Sequence, residues 1–127
     1  MRDVRVRLVS ESGLETEVRV GDHVTRCDEP ADKGGTDTGP TPQETLLAAL
    51  GACEAITLRM YASRKGWALE DAKVHLTAAF VDGVYVIKRQ LTLEGDLDEE
   101  QRARLHEIAN RCPVQRAITG EVRIEDV

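Results

Sequence analysis

Residues 41–53 of the chain read TPQETLLAALGAC, and this stretch predicts the first turns of a long helix. Thr41 suits the N-cap, and Pro42 suits the first helical position, where its missing N–H costs nothing. Glu44 can then complete a capping box, in which its carboxylate accepts from the amide of the N-cap residue. The sequence therefore predicts a well-defined helix start.

The same helix is predicted to be enclosed by protein. No charged residue occurs from Thr45 to Cys53, so its first turns are apolar on every side. A helix that is apolar all round is buried, and small residues in this stretch allow other backbones to approach. We expect the helix to run to about Arg64 and to end at Gly66.

Outside this helix, alternation of apolar and charged residues predicts strands. The expected strands cover residues 4–7, 14–20, 22–26, 72–81, 84–93 and 121–124. Asp82-Gly83 predicts a tight hairpin turn, and the polar connection 27–40 is long enough to suggest a functional loop. A second helix is expected over 98–111, with a short helical turn over 114–119. The expected fold class is α+β, one domain over residues 1–127, with antiparallel strands packed on a long central helix and a shorter helix.

Composition narrows the classes of function. The chain of 127 residues has a formal net charge of −6 and no cluster of Lys and Arg, which argues against a nucleic-acid partner. Its N-terminal residues alternate charge with Val and do not resemble an export signal. We find no stretch of the roughly 18–20 apolar residues that a membrane-spanning helix needs. We therefore expect a cytoplasmic protein without a membrane partner.

The three cysteines are Cys27, Cys53 and Cys112, and an odd number cannot form a disulfide framework. Cys53 lies within the enclosed helix, where a small core residue is the ordinary interpretation. Cys112 precedes Pro113, so it suits the N-cap of a short helix whose free amides would favour a thiolate. Cys27 has no assigned role. The histidines are too scattered for a zinc site, and the chain has no phosphate loop or dinucleotide fingerprint, so neither a metal nor a nucleotide cofactor is expected.

Two segments resemble one known family. Residues 34–53 are similar to the central-helix motif of the OsmC/Ohr family, the osmotically induced and organic hydroperoxide resistance proteins. Residues 110–114, with Cys112 followed by Pro113, resemble the second cysteine motif of that family. The order of predicted strands and helices also fits, so the resemblance covers essentially the whole chain.

The resemblance implies an α+β fold, an intertwined homodimer with two interface sites, and a cysteine-based peroxidase. By motif position, Cys53 would be the peroxidatic cysteine and Cys112 the resolving cysteine. The implied activity is reduction of organic hydroperoxides in oxidative-stress defence, with an external thiol or dithiol as reductant. The cycle needs no metal, flavin or haem.

The chain also departs from the peroxidase branch of the family. That branch has a Glu directly after the helix-opening proline, paired with an Arg that activates the thiol. Here Gln43 follows Pro42, and Glu44 comes about 100° further round the helix. Gln43 and Glu44 are the candidate supporting residues of the site, and we expect Glu44 to cap the helix rather than to face Cys53. No Arg matches by motif near the first hairpin. Substitutes can be sought among Arg5, Arg7 and Arg19, and the pattern resembles a less-characterised OsmC-like branch.

Two other functions stay open at this stage. One is a non-catalytic stress or ligand-binding protein with a small-molecule site at the dimer interface, which the missing Glu and Arg favour. The other is a plain structural role for both cysteines. The presence of both Cys53 and Cys112 favours the peroxidase.

Overall fold

The regular elements follow one another in the order β-β-β-α-β-β-α-α. The computed structural model describes all 127 residues, which divide into two compact units, Met1–Leu46 and Leu47–Val127. The elements are β1 (Arg5–Leu8), β2 (Thr16–Val20), β3 (His23–Cys27), α1 (Pro42–Lys65), β4 (Ala68–Val81), β5 (Val84–Asp96), α2 (Glu99–Ala109) and α3 (Pro113–Thr119). The expected α+β class with antiparallel strands is confirmed.

The first unit contains an antiparallel sheet in the order β1-β2-β3. The connection that follows is an ordered loop with a short 3-10 helix over Ala31–Lys33. The carboxylate of Asp28, which is only 2% exposed, accepts hydrogen bonds from three backbone amides and two threonine hydroxyls. The donors belong to Glu29, Thr36 and Thr38, so one side chain organises most of the loop.

Helix α1 begins as the sequence predicts. The Thr41 amide donates to Glu44 Oε1 at 2.8 Å, and the Glu44 amide donates to Thr41 Oγ1 at 3.1 Å. The helix ends at Lys65, and Gly66 follows with φ 69°, the left-handed conformation that stops a helix. Both predicted ends of the helix are confirmed.

Strands β4 and β5 form a hairpin much longer than predicted. Thirteen residue pairs run from Val81 opposite Val84 back to Ala68 opposite Asp96. Asp82 and Gly83 form the turn with φ 51° and 80°, which is the backbone that an Asp-Gly turn supplies. Against this hairpin, a Cβ atom added at Gly51 of α1 would lie 3.1 Å from Leu76 Cδ1, so the glycine allows close approach of helix and strand.

The core of the second unit lies between α1, the open end of the hairpin, and α2. It is built mainly from leucine. Its buried members are Leu58, Ala62, Leu69, Leu93, Leu97, Leu105, Ile108 and Ala109. The hairpin is therefore packed on the long helix and the shorter α2, as expected. This packing fixes α1, the hairpin and α2 relative to one another.

One structural expectation is wrong, and another is met only in part within the single chain. Residues 121–124 form no strand, because they have no partner strand in the chain, and Ile124 is 93% exposed. The enclosure of α1 is also incomplete. The helix buries one stripe of residues at four-residue spacing: Leu50, Glu54, Leu58 and Ala62. On its other faces Ile56 is 60% exposed and Met60 is 59% exposed. Within one chain there is not enough surrounding structure to cover the other faces.

The apolar character of α1 corrects a further expectation. Over an 18-residue window the mean hydropathy of this 24-residue helix reaches 1.2, so it is long and apolar enough to cross a membrane. Polar residues are interspersed in this helix, so it contains no continuous apolar run from which the sequence would predict a membrane span. Core helices of soluble proteins meet the same two criteria.

Candidate functional site

The two predicted cysteines lie on different elements of the second unit. Cys53 is half-buried in the middle of α1, and Cys112 is fully buried at the N-cap of α3. Pro113 occupies the first helical position, so Cys112 takes an extended backbone conformation and its Sγ accepts from the Gln115 amide at 3.3 Å. The predicted capping position of Cys112 is confirmed.

The surroundings of Cys112 correct the expectation that it favours a thiolate. Burial raises the pKa of the Cys112 thiol, and the hydrogen bond from the Gln115 amide only partly opposes this. The neighbouring Cys53 side chain and the Glu54 carboxylate raise the pKa of Cys112 further. Cys112 is therefore a neutral thiol at neutral pH, and it has Cys53 as a neighbour.

All three cysteines are free. Cys27 belongs to the first unit, where it is buried with its Sγ 3.4 Å from Thr45 Oγ1. No group of three or more His, Cys, Asp or Glu side chains is placed to hold a metal ion.

The structure adds an ion pair that the sequence analysis missed. Glu54, the residue after Cys53, is completely buried, and its Oε1 accepts from Arg89 Nη1 at 2.7 Å. The second carboxylate oxygen, Oε2, is buried and has no hydrogen-bond partner. A buried carboxylate oxygen without a partner is costly, so Glu54 is only half satisfied by the pair.

Arg89 connects this ion pair to the segment around Cys112. Its Nη1 also donates to Gln115 Oε1 at 3.2 Å, and its Nη2 donates to Asn110 Oδ1 at 3.0 Å. Gln115 is the same residue whose backbone amide bonds to Cys112. One guanidinium of β5 therefore joins α1 to both sides of Cys112.

A signal for this pair is present in the sequence. Glu54 follows the four-residue spacing of Leu50 and Leu58, so it belongs to the buried stripe of α1. Arg89 alternates in phase with Ile87 and Leu91, which places it on the apolar face of β5. Two opposite charges, each on a buried face, must be paired.

The predicted supporting residues lie at the start of α1. Gln43 and Glu44 are both exposed, and the Glu44 carboxylate is engaged in the capping box. The arginines named as substitutes are engaged in their own sheet. Arg5 pairs with Asp3, while Arg7 and Arg19 both approach Glu17. The hydrogen bonds and ion pairs that Glu44 and these arginines make are all with residues of the first unit.

A cavity of about 450 Å³ opens beside the ion pair. One part of its wall is apolar, and the other part carries Arg89 and its hydrogen-bond acceptors. Neither cysteine lines it. The lining residues are Leu50, Glu54, Tyr85, Ile87, Arg89, Asn110, Gln115, Ile118 and Thr119.

Comparison with known proteins gives a consistent result. The family model described as OsmC-like protein matches residues 35–125. The chain is 26% identical over 119 residues to the uncharacterized protein YmaD of Bacillus subtilis, covering 85% of this chain and 79% of that protein. The fold is similar to a crystal structure of an OsmC-like protein from Mycoplasma pneumoniae, with a TM-score of 0.78, 20% identity, and coverage of 94% of this chain and 88% of the other.

A further solved structure with a similar fold is the organic hydroperoxide resistance protein OhrB of Bacillus subtilis. The TM-score is 0.59 and the identity 24%, over 93% of this chain and 91% of that one. The matched model covers both cysteine segments from Gly35 onward, and the chain belongs to the OsmC-like family.

Proposed function

We propose that this chain reduces organic hydroperoxides, with Cys53 as the peroxidatic cysteine and Cys112 as the resolving cysteine. The observation that carries the proposal is the contrast between the neighbouring thiols. Cys53 is partly accessible on α1, whereas Cys112 is buried beside it as a neutral thiol. A peroxide can reach the partly accessible Cys53 sulfur, and Cys53 is near enough to Cys112 to raise the pKa of its thiol, although the two thiols are not bonded.

The proposed chemistry has two steps. The Cys53 thiolate attacks the outer oxygen of the hydroperoxide, the O–O bond breaks, the alkoxide leaves and takes a proton, and Cys53 becomes a sulfenic acid. The Cys112 sulfur then attacks the Cys53 sulfur, and the S–O bond breaks. The departing hydroxide takes the Cys112 proton and leaves as water. Two electrons pass from the thiols to the peroxide, and an external thiol or dithiol restores both cysteines.

The raised pKa of Cys112 suits a resolving cysteine. A neutral thiol does not compete for peroxide, because the thiolate is the nucleophile. Only after Cys53 has become a sulfenic acid does the buried Cys112 have an electrophile beside it. This order of events protects the second sulfur from oxidation by the substrate.

The proposal includes a cytoplasmic homodimer. The exposed apolar side chains of α1, with Leu46 at 40%, Ile56 at 60% and Met60 at 59%, support a second copy as their cover. A reducing cytoplasm would supply the thiol reductant that the cycle requires. Light scattering coupled to size-exclusion chromatography tests the dimer directly, and a monomer at micromolar concentration would contradict it.

The test of the peroxidase is a single turnover. Reduced protein is mixed with one equivalent of cumene hydroperoxide, and the disulfides are mapped by mass spectrometry. We expect a Cys53–Cys112 bond, no bond in Cys53→Ser, and a trapped sulfenic acid at Cys53 in Cys112→Ser. Cys27→Ser is the matched control, and it should behave like the unaltered chain. Thiols that stay free for hours would reject the peroxidase.

The second candidate function is binding of a small, partly apolar molecule. The cavity beside Arg89 favours it, because neither cysteine lines that cavity. Calorimetric titration with fatty acids, which carry an apolar chain and a carboxylate, distinguishes the two functions. Binding that persists in a Cys53→Ser, Cys112→Ser variant without peroxide turnover in the unaltered chain would favour the binding protein.

A further inference from the structure

The proposed catalytic cycle gives no role to the ion pair between Glu54 and Arg89. It joins α1 through Glu54, β5 through Arg89, the end of α2 through Asn110, and α3 through Gln115. Cys112 stands between Asn110 and Gln115, and Cys53 precedes Glu54. The pair therefore connects the segments that carry the two reactive sulfurs.

We propose that Glu54 and Arg89 form a clamp that positions the buried Cys112 thiol against the Cys53 helix, so that the disulfide closes rapidly once Cys53 is oxidised. The inference rests on the proposed function for the source of the oxidation. The positioning of Cys112 by the clamp does not depend on which oxidant acts, because it concerns only the approach of the Cys112 sulfur to the Cys53 sulfur. Glu54 and Arg89 are positioning residues in this scheme, and they need not contact the peroxide.

Burial gives the clamp its rigidity. Glu54 is completely buried and the Arg89 side chain is 24% exposed, so water competes little for their hydrogen bonds. The guanidinium uses a planar fork to hold Glu54 on one side and Gln115 and Asn110 on the other. A lysine keeps the charge but lacks this fork, so it cannot hold all three partners.

The Glu54 carboxylate is engaged by Arg89 through one oxygen only, and the buried Oε2 has no hydrogen-bond partner. The Glu54 carboxylate opposes ionisation of Cys112, and Cys53 on the same helix also raises the pKa of that thiol. The other charged groups of this region are Arg89, which binds Asn110 and Gln115, and the exposed Arg111 and Arg116 on the segment of Cys112 itself. The clamp would thus hold Cys112 in place and also keep it protonated.

The first experiment separates the two chemical steps. Glu54→Gln and Arg89→Lys are mixed with one equivalent of cumene hydroperoxide, dimedone traps the Cys53 sulfenic acid, and mass spectrometry follows the disulfide. We expect Cys53 oxidation within about twofold of the unaltered rate and disulfide closure slower by on the order of tenfold or more. Glu94→Gln is the matched control, because it breaks the exposed Lys73–Glu94 pair of the same hairpin.

A second readout tests the charge of the clamp. In a Cys53→Ser background, the rate of Cys112 alkylation by iodoacetamide is measured against pH. Glu54→Gln removes the negative charge, so the alkylation profile should move to lower pH. A merely structural role would leave the midpoint of that profile in place. Unchanged closure rates, or slowing of Cys53 oxidation to the same degree as closure, would overturn the inference.

Two further arrangements keep the test decisive. If a buried substitution prevents folding, the Asn110→Ala, Gln115→Ala double variant cuts the clamp near the surface and leaves the Glu54–Arg89 pair intact, and it should also slow closure. If the chain does not react with hydroperoxides, oxidised glutathione replaces the peroxide. Cys53 then forms a mixed disulfide, Cys112 displaces glutathione, and slowed closure in the clamp variants supports the inference although the peroxidase proposal has failed. Equal closure rates there would reject the clamp as well.

Discussion

Asp28 and Glu54 are two buried carboxylates that the fold treats in opposite ways. Asp28, in the first unit, receives five hydrogen bonds from the loop around it. Glu54, in the second unit, receives one bond from Arg89 on one oxygen and none on the other. The first acid is held by neutral donors, and the second by a single cation.

The difference indicates different roles. Several N–H and O–H donors directed at one carboxylate stabilise a loop without leaving any group free for chemistry. A half-satisfied carboxylate is costly, and such sites persist where function requires them. Asp28 is therefore a structural residue of the connection 27–40, which the sequence analysis had expected to be functional, and Glu54 is the residue to examine for function.

Removing the cation beside Glu54 should have the largest effect on stability. Arg89→Met leaves a buried charge without a partner, and the free energy of unfolding should fall by about 3–5 kcal/mol. Urea denaturation at one fixed protein concentration measures it. The double variant Glu54→Leu, Arg89→Met should recover most of the loss, because no charge then stays buried. A loss below about 1 kcal/mol in Arg89→Met would show that Glu54 does not depend on Arg89.

Weakening the Asp28 cluster should have a smaller and more local effect. Asp28→Asn keeps one acceptor but introduces N–H donors among groups that are already donors, so the loop should loosen. Hydrogen exchange followed by mass spectrometry should show faster exchange over residues 28–40. Asp32→Asn, an exposed acid of the same loop without side-chain hydrogen bonds, is the control. Unchanged hydrogen exchange in Asp28→Asn would show that Asp28 does not stabilise this loop.

Acid should affect the chain through Asp28. Burial would raise the pKa of that carboxyl, but the hydrogen bonds from Thr38, Glu29 and Thr36 together hold the pKa far below its ordinary range. In the unfolded chain the pKa of this carboxyl is about 3.9, so the group binds a proton at a higher pH there. Its contribution to stability is therefore present above that pH and is lost as pH falls. The free energy of unfolding of Asp28→Asn, measured from pH 6 to pH 3, should depend less on pH.

Alkali should have the smallest of these effects, and in the opposite direction. The raised pKa of Cys112 means that its stabilising contribution is complete below the pKa of an unfolded cysteine, about 8.5, and is lost as pH rises beyond it. Cys112→Ala should therefore lose less stability between pH 8 and pH 10 than the unaltered chain. Equal losses would mean that Cys112 ionises as easily in the folded protein as in the unfolded chain.

Local signals in the sequence were sufficient for most of the fold. Thr41, Pro42 and Glu44 specify the start of α1 through contacts between near neighbours, and Asp82-Gly83 specifies the hairpin turn in the same way. The strand expected over 121–124 failed for the converse reason. Alternation of apolar and polar residues shows that a segment could pair, but it does not supply the partner strand.

The candidate site was harder to predict because its central contact is long-range. Glu54 and Arg89 are separated by 35 positions. The uncharged run that marks the helix as enclosed ends at Cys53, and the acid that interrupts it, Glu54, is the next residue. The capping position of Cys112 followed from Pro113, whereas its raised pKa depended on burial that no local pattern reveals.

The length of the turn at Asp82-Gly83 determines whether the site can form. Arg89 lies opposite Leu76 in the hairpin, about 20 Å along the strand from the turn. Inserting or deleting one residue there would shift the register and direct Arg89 to the opposite face of β5, away from Glu54. Every residue of the site would still be present in such a variant. For this chain, the number of residues in a distant turn is as much a part of the site as the charges themselves.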